Sequence, residues 1–170
     1  EIRVRVYTYT ELPGKTLAGA KKTVTELMSR AGLRALWADC QISIQDERAW
    51  PACAQPPTTL DLTLRILDET TVEPPETSRE RLGYAWIVPG RFSSIAGAYF
   101  HRAVELQSTS SASPASILGY IVAHELGHLL LGDARHAAQG IMKPSWDKED
   151  LRAMARGRLG FSREEALRMR

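Results

Sequence analysis

Two histidines one helical turn apart, with a glutamate beside the first, carry the chemistry that this sequence can perform. His124 and His128 stand four residues apart in the run His-Glu-Leu-Gly-His, so on an α-helix both imidazoles point the same way and can reach one metal ion. Glu125 lies roughly 100° further round such a helix, where it can face a water molecule on that ion. The spacing therefore predicts half of a zinc hydrolase site.

The residues around this run predict the helix that the spacing needs. An apolar stretch precedes it, Ser113 is a suitable cap for a helix that begins at Pro114, and three leucines follow the second histidine. Gly132 then supplies a residue that can end a helix in the left-handed conformation. We expect one buried helix over 114–131 that carries both histidines and the glutamate.

A catalytic zinc site needs a third protein ligand and keeps its fourth position open for water. His136 is the main candidate, because three of the four histidines fall within 124–136 and a bend at the helix end can bring it under the same metal. Asp133 in the same loop is a competing donor. Asp147 or Glu149 would serve if a later helix supplied a carboxylate ligand.

The residues that follow give a resemblance to a known family. The His-Glu-x-x-His run, a glycine, a third histidine and a methionine-containing turn that ends in proline, within 118–144, resemble the metzincin clan of zinc endopeptidases. The resemblance implies a Zn²⁺-dependent endopeptidase that acts on protein or peptide substrates. It also implies a role for five side chains, namely the zinc ligands His124, His128 and His136, the general base Glu125, and Met142 as an apolar floor beneath the metal.

The loop after the helix departs from the usual metzincin spacing. That pattern places glycine three residues and the third histidine six residues after the second histidine, where Leu131 and Ala134 stand here. Gly132 and His136 are displaced by one and two residues, as in a longer connecting loop. An acidic third ligand, typical of gluzincins, therefore stays open beside His136.

This ligand set implies a hydrolytic mechanism. Zinc lowers the pKa of its bound water to about 7, and Glu125 can accept the proton while the oxygen attacks a peptide carbonyl. The same acid can then pass the proton to the departing amine. The alternatives are a zinc-binding interaction module without catalysis and a metal-free globular domain in which His124 and His128 are merely packed.

Hydrophobic periodicity predicts the elements that position this site. Alternation of apolar and polar residues predicts strands over 2–9, 36–40 with a continuation to Ile44, 61–67, 84–88 and 94–100. Helical spacing predicts further helices over 16–31, 147–156 and 162–169. This order indicates an α+β, α/β-like fold, in which a twisted mixed sheet is backed by a helix and by the zinc-binding helix.

We expect a single catalytic domain over 1–170. Residues 1–131 would form an upper subdomain with the sheet and zinc helix, and 132–170 a small, mostly helical lower subdomain with the third ligand and the methionine turn. By the metzincin resemblance, residues 93–100 provide an antiparallel edge strand that binds extended substrate above the zinc. His101 is more typical of a packed or surface histidine than of a catalytic one.

Composition limits the kinds of partner that we expect, and the two cysteines indicate the compartment. Twenty-two basic and 20 acidic residues leave a net charge of +2, which gives no electrostatic indication of nucleic-acid binding, and no apolar run is long enough to predict a membrane span. Cys40 and Cys53 are 13 positions apart and are expected to form a disulfide, which favours an oxidising compartment. With Glu1 at its start, we expect a secreted or periplasmic monomer whose signal peptide has been removed.

Overall fold

The computed structural model describes residues 1–40, 53, 56–58, 61–68, 81–88 and 93–170 of the chain. Within these residues one sheet contains the strands β1 (Ile2–Thr8), β2 (Ala35–Asp39), β3 (Asp61–Leu67), β4 (Gly83–Ala85) and β5 (Ile95–Tyr99). The helices are α1 (Thr16–Arg30), α2 (Phe100–Gln107), α3 (Pro114–Leu131), α4 (Lys148–Ala155) and α5 (Arg163–Arg168).

The sheet is mixed and has the strand order β2-β1-β3-β5-β4. β1 pairs in parallel with β2 and with β3, and β3 pairs in parallel with β5. β4 lies at one edge and runs antiparallel to β5. Together with the helices, this five-stranded mixed sheet confirms the predicted α+β class.

Helix α3 lies in the core of the molecule, where it packs against α1 and against the strands β5 and β4. It is buried continuously from Ile117 to Leu129, which is the pattern of a helix with packed neighbours on every side. α1 turns its apolar stripe inward and approaches α3 closely, because a Cβ on Gly119 would lie only 2.6 Å from Cβ of Thr23. A side chain at Gly119 would therefore force the two helices apart.

The ends of α3 follow the local signals in the sequence. The Ser113 hydroxyl accepts a hydrogen bond from the Ser116 backbone at 3.1 Å, and Pro114 occupies the first turn. Gly132 ends the helix in the left-handed conformation, with φ of 62°. The bounds predicted from the sequence are confirmed for this helix.

One prediction about the sheet is wrong, and another concerns residues outside those that the structure describes. The predicted edge role of 93–100 is wrong, because β5 is an inner strand that pairs with β3 on one side and β4 on the other. The edge is the shorter β4. Helix α2, which begins directly after β5, was not predicted, and the expected continuation of β2 to Ile44 lies outside the described residues.

The two cysteines form the disulfide that the sequence predicts. Cys40 follows β2 directly and is joined to Cys53, with the two Cα atoms 5.7 Å apart.

Among the described helices, none has both the length and the apolar character needed to cross a bilayer.

Candidate active site

His124 and His128 lie one turn apart on the buried helix α3. Their side chains belong to residues that are 7% and 5% exposed, and the ring centroids are 4.7 Å apart with an interplanar angle of 80°. The helical spacing therefore brings the two imidazoles together inside the protein, where each ring needs polar partners.

The outer nitrogen of each ring is fixed by a backbone carbonyl. Nδ1 of His124 lies 2.8 Å from the Ile141 carbonyl oxygen, and Nδ1 of His128 lies 2.8 Å from the Asp133 carbonyl oxygen. Because a carbonyl can only accept, both Nδ1 atoms must carry a hydrogen. Each neutral ring therefore presents an unprotonated Nε2 to the interior of the site, as a metal-binding histidine does.

These two Nε2 atoms face each other at 3.0 Å. With a hydrogen already on each Nδ1, the neutral rings oppose two lone pairs, an arrangement that a cation between them would stabilise. Two nitrogens on one tetrahedral zinc ion lie about 3.4 Å apart, since each zinc–nitrogen bond is about 2.0–2.1 Å. The observed separation of 3.0 Å is about 0.4 Å shorter than this value, so a small outward movement of the rings would admit the ion.

His136 completes a cluster of three imidazoles. Its ring centroid is 5.3 Å from that of His124 and 4.9 Å from that of His128, although His136 itself is exposed. The possible ligand atoms of the three residues all lie within 4.8 Å of one another. The turn at Gly132 reverses the chain after α3 and allows this third ring to return, and three imidazoles fit Zn²⁺ well.

The acidic residues considered as third ligands are engaged elsewhere. One carboxylate oxygen of Asp133 accepts a hydrogen bond from the Arg135 backbone at 2.9 Å, and Arg135 holds the pKa of Asp133 well below its ordinary value. Asp147 caps α4 through the Glu149 and Asp150 backbones, and Glu149 is exposed. Within the described residues the group that could hold a metal ion therefore consists of histidines alone.

Burial keeps the two helix histidines neutral. It lowers the pKa of His124 to about 4 and also lowers the pKa of His128, although the bonds to the Ile141 and Asp133 carbonyls oppose the shift. Neutral imidazole is the form that binds a metal ion, so the protein environment favours the ligand state near neutral pH.

Glu125 lies beside the cluster and packs against the edge strand β4. It is 5% exposed, and burial raises its pKa to about 8 while the positive charge of Arg81 acts to lower it. A Cβ on Gly83 would lie 2.9 Å from Cγ of Glu125, so the carboxylate reaches this position only because β4 carries a glycine there. Gly83 was not predicted as a site residue, although a glycine within a strand is a recognised sign of close approach.

Met142 lies below the helix turn that carries the two histidines. It is 1% exposed, and a Cβ on Gly127 would lie 2.8 Å from its Sδ atom. The turn around Met142 is fixed at both ends, because the Ala137 N–H donates to its carbonyl at 2.8 Å and the Ile141 N–H donates to Gly160 at 3.0 Å. This packing also holds the Ile141 carbonyl against His124.

Trp146 packs against the histidine cluster, whereas His101 lies outside the cleft. The Trp146 indole N–H donates to the Ile141 carbonyl oxygen at 3.2 Å, and its ring lies 5.9 Å from His124 at a near-perpendicular angle. It therefore supports the carbonyl that orients His124. His101 lies on α2 with Nδ1 3.7 Å from the Asp68 carboxylate and does not line the cleft.

An open cleft of about 460 Å³ lies above the three histidines. One wall is formed by β4 and the residues on either side of it, and the other by the loop that follows α3. The lining residues are Arg81, Leu82, Gly83, Tyr84, Ala85, Ile87, His124, Glu125, His128, Ala134, His136, Pro144 and Ser145. A substrate in this cleft would meet the acid and the imidazoles together.

Solved structures with the same fold include two peptidases. A zinc-dependent peptidase from Methanocorpusculum labreanum superposes with a TM-score of 0.62 at 15% identity, covering 98% of this chain and 100% of its own. Archaemetzincin from Methanopyrus kandleri superposes with a TM-score of 0.59 at 15% identity, covering 99% and 93%. No protein-family model and no curated protein matches the sequence. At this identity the similarity establishes a shared fold.

Proposed function

We propose that this chain is a zinc-dependent peptidase of the metzincin type, built as one catalytic domain. The observation that carries the proposal is the pair of Nε2 atoms on His124 and His128, which face each other at 3.0 Å while backbone carbonyls hold both Nδ1 hydrogens. Neutral imidazoles in this arrangement are suited to share a cation. The fold that this chain shares with a zinc-dependent peptidase and with an archaemetzincin supports the same function.

His124, His128 and His136 would hold the zinc ion. When bound, zinc would supply Lewis acidity toward a peptide carbonyl and a water molecule of lowered pKa. Met142 would close the site from below, and the Ile141 and Asp133 carbonyls would keep the two helix rings in the ligating tautomer. The open cleft leaves the side opposite the helix accessible to substrate.

Glu125 would move the proton in this reaction. Its carboxylate would accept a proton from the attacking water and then donate it to the departing amine, so one side chain acts as base and then as acid. A buried position strengthens its hydrogen bond to water, and the neighbouring Arg81 favours the ionised carboxylate that the first step needs.

The edge strand β4 would hold an extended substrate. Its outer edge has no partner strand among the described residues, so its backbone N–H and C=O groups are free to pair with a peptide laid across the cleft. Binding through the backbone suits cleavage within a chain, which is the basis for proposing an endopeptidase. A secreted or periplasmic location is part of the proposal, supported by the disulfide between Cys40 and Cys53.

The decisive experiment replaces Glu125 by alanine in protein purified without a histidine tag. We expect zinc content near one per chain in both parent and variant, measured by mass spectrometry of the metal, and a loss of peptide cleavage of at least about 100-fold in the variant. Glu164→Gln, an exposed change on α5, is the matched control and should retain both properties. Equal cleavage by the Glu125→Ala variant would refute the mechanism.

Two other results would separate the alternative functions. Stoichiometric zinc in a parent protein that cleaves no peptide in a broad library would indicate a zinc-binding interaction module. Absence of zinc after supplementation would indicate a domain in which the histidines only pack. Both results contradict the peptidase proposal.

A further inference from the structure

The cleft above the histidines contains one permanently positive side chain among its described lining residues, that of Arg81. Resting on the proposed peptidase function, we propose that Arg81 selects substrates that carry a carboxylate close to the bond that is cleaved. A guanidinium suits this role because it can donate two parallel hydrogen bonds to one carboxylate.

Arg81 stands two residues before β4, in the wall of the cleft that faces the reacting groups. The Tyr99 N–H donates to the Leu82 carbonyl at 3.1 Å, which holds the chain next to Arg81 against β5. Arg81, Glu125 and the three histidines line the same cleft, so the guanidinium opens onto the volume in which the reaction would occur.

Tyr84 is the other polar side chain of this wall. A Cβ on Gly97 would lie 2.2 Å from the Tyr84 ring, so this ring lies across the neighbouring strand β5. Among the described residues, Arg81 is therefore the charged side chain that this wall presents to the cleft.

The guanidinium is close to the acid without being neutralised by it. Arg81 and Glu125 line the same cleft, yet their charged groups are not within the 4.0 Å of an ion pair. Arg81 is also exposed, so a substrate group can reach it from solvent. A carboxylate of the substrate would therefore meet an available partner.

The remaining lining residues offer no carboxylate that would attract a substrate cation. Among the described residues, the wall that contains β4 adds Leu82, Tyr84, Ala85 and Ile87, and the opposite wall adds Ala134, Pro144 and Ser145. None of these is an aspartate or a glutamate. A zinc ion would add further positive charge, so the cleft favours an anionic group and disfavours lysine or arginine in the substrate.

Two sources could supply the carboxylate, an aspartate or glutamate side chain or the free C-terminus of the substrate. One set of hexapeptides carries Asp or Asn at each position in turn and tests recognition of a side-chain carboxylate. A second set has the same sequences with a free or an amidated C-terminus and tests recognition of the terminal carboxylate. For the zinc-loaded protein we expect kcat/KM to be about tenfold higher for the carboxylate member of the favoured pair. This preference should shrink in 0.5 M salt, because a partly exposed ion pair is screened.

The variants Arg81→Gln and Arg81→Glu test the residue. Arg81→Gln should make kcat/KM equal for the carboxylate and amide members of the favoured pair, and Arg81→Glu should favour the amide member. Arg152→Gln, an exposed arginine on α4 outside the cleft, is the matched control and should keep the parent preference. An unchanged preference in Arg81→Gln would overturn the inference.

Binding gives a second measurement that does not depend on turnover. The zinc-loaded Glu125→Gln variant should bind the carboxylate peptide about tenfold more tightly than its amide partner, and adding Arg81→Gln should abolish this difference. Equal binding of both members, or no binding of either, would refute carboxylate recognition. Selective binding without any cleavage by the parent protein would support carboxylate recognition and refute the peptidase function.

Discussion

Gly127, which stands between His124 and His128 along α3, packs directly against Met142. A Cβ on Gly127 would lie 2.8 Å from the Met142 sulfur and 2.8 Å from Cε1 of Phe161. The missing side chain lets the methionine turn rise against the helix, and it is this turn that brings the Ile141 carbonyl to 2.8 Å from Nδ1 of His124. A glycine within the helix therefore contributes to the orientation of a metal-binding ring.

Gly127→Ala should destabilise the protein even though alanine is the better helix former. The propensity gain is about 1 kcal/mol, whereas overpacking against Met142 and Phe161 costs about 1–3 kcal/mol, so we expect a net loss of about 1 kcal/mol. Urea unfolding measures the change, and zinc titration should reveal weaker binding. Adding Met142→Ala should relieve part of the overpacking, and a Gly127→Ala variant with unchanged stability and zinc affinity would contradict the contact.

Removal of the exposed histidine should weaken zinc binding without unfolding the protein. Changes to groups that only orient a ligand typically cost 10–100-fold in metal affinity, so His136→Ala should cost more than about 100-fold. Because His136 is exposed, the apo protein should keep its parent melting temperature.

The acidic alternatives provide the controls for this experiment. Asp133→Asn and Glu149→Gln should each retain zinc near one per chain, since the Asp133 carboxylate bonds to Arg135 and Glu149 is not part of the histidine cluster. Competition with a chromophoric chelator measures each affinity. If either acidic variant lost zinc while His136→Ala retained it, that acidic residue would be the third ligand in place of His136.

Asp61 should make the folded state sensitive to acid. Its carboxylate is 3.1 Å from the buried Arg5 guanidinium and accepts the Thr58 backbone N–H at 2.7 Å. Burial acts to raise the pKa of Asp61, but the hydrogen bonds from Thr58 and the charges of Arg5 and Arg3 outweigh it, so the pKa lies below its ordinary value. Ionised Asp61 therefore stabilises the fold above the unfolded pKa of about 3.9, and this contribution is lost as the pH falls through the lower folded value.

The corresponding measurement compares the parent with Asp61→Asn in urea between pH 7 and pH 3. We expect the variant to be less stable by about 3 kcal/mol at neutral pH, because the buried Arg5 would lose its ion pair with the Asp61 carboxylate. The difference should stay constant down to about pH 5 and shrink below about pH 4. A stability difference between parent and variant that grows as the pH falls would contradict this prediction.

The disulfide should stabilise the fold through the unfolded chain. Linking Cys40 to Cys53 restricts a loop whose closure is worth about 3 kcal/mol in the chain-entropy description. Dithiothreitol should therefore lower the urea midpoint of the parent protein. The double variant Cys40→Ala with Cys53→Ala should have the lower midpoint already and show no response to the reductant. Equal midpoints with and without reductant would exclude a stabilising disulfide.

Local signals predicted much of the fold because they act within a few residues. Ser113, Pro114 and Gly132 define α3 by satisfying or ending its own backbone hydrogen bonds, and alternation predicted β1 and β3 because one residue in two faces the core. The order of strands was less accessible. β5 was assigned to the edge in place of β4, because pairing joins residues whose separation the periodicity of either strand does not encode.

By itself, the sequence determined that two imidazoles and an acid share a helix, since the geometry of one helical turn follows from the spacing of His124, Glu125 and His128. Only the tertiary structure decided which distant groups meet them. The Ile141 carbonyl on His124, the return of His136, and the approach of Gly83 and Arg81 to Glu125 all depend on packing between separate elements. Spacing along the chain fixes directions within one element, whereas burial of the whole core fixes the distances between elements.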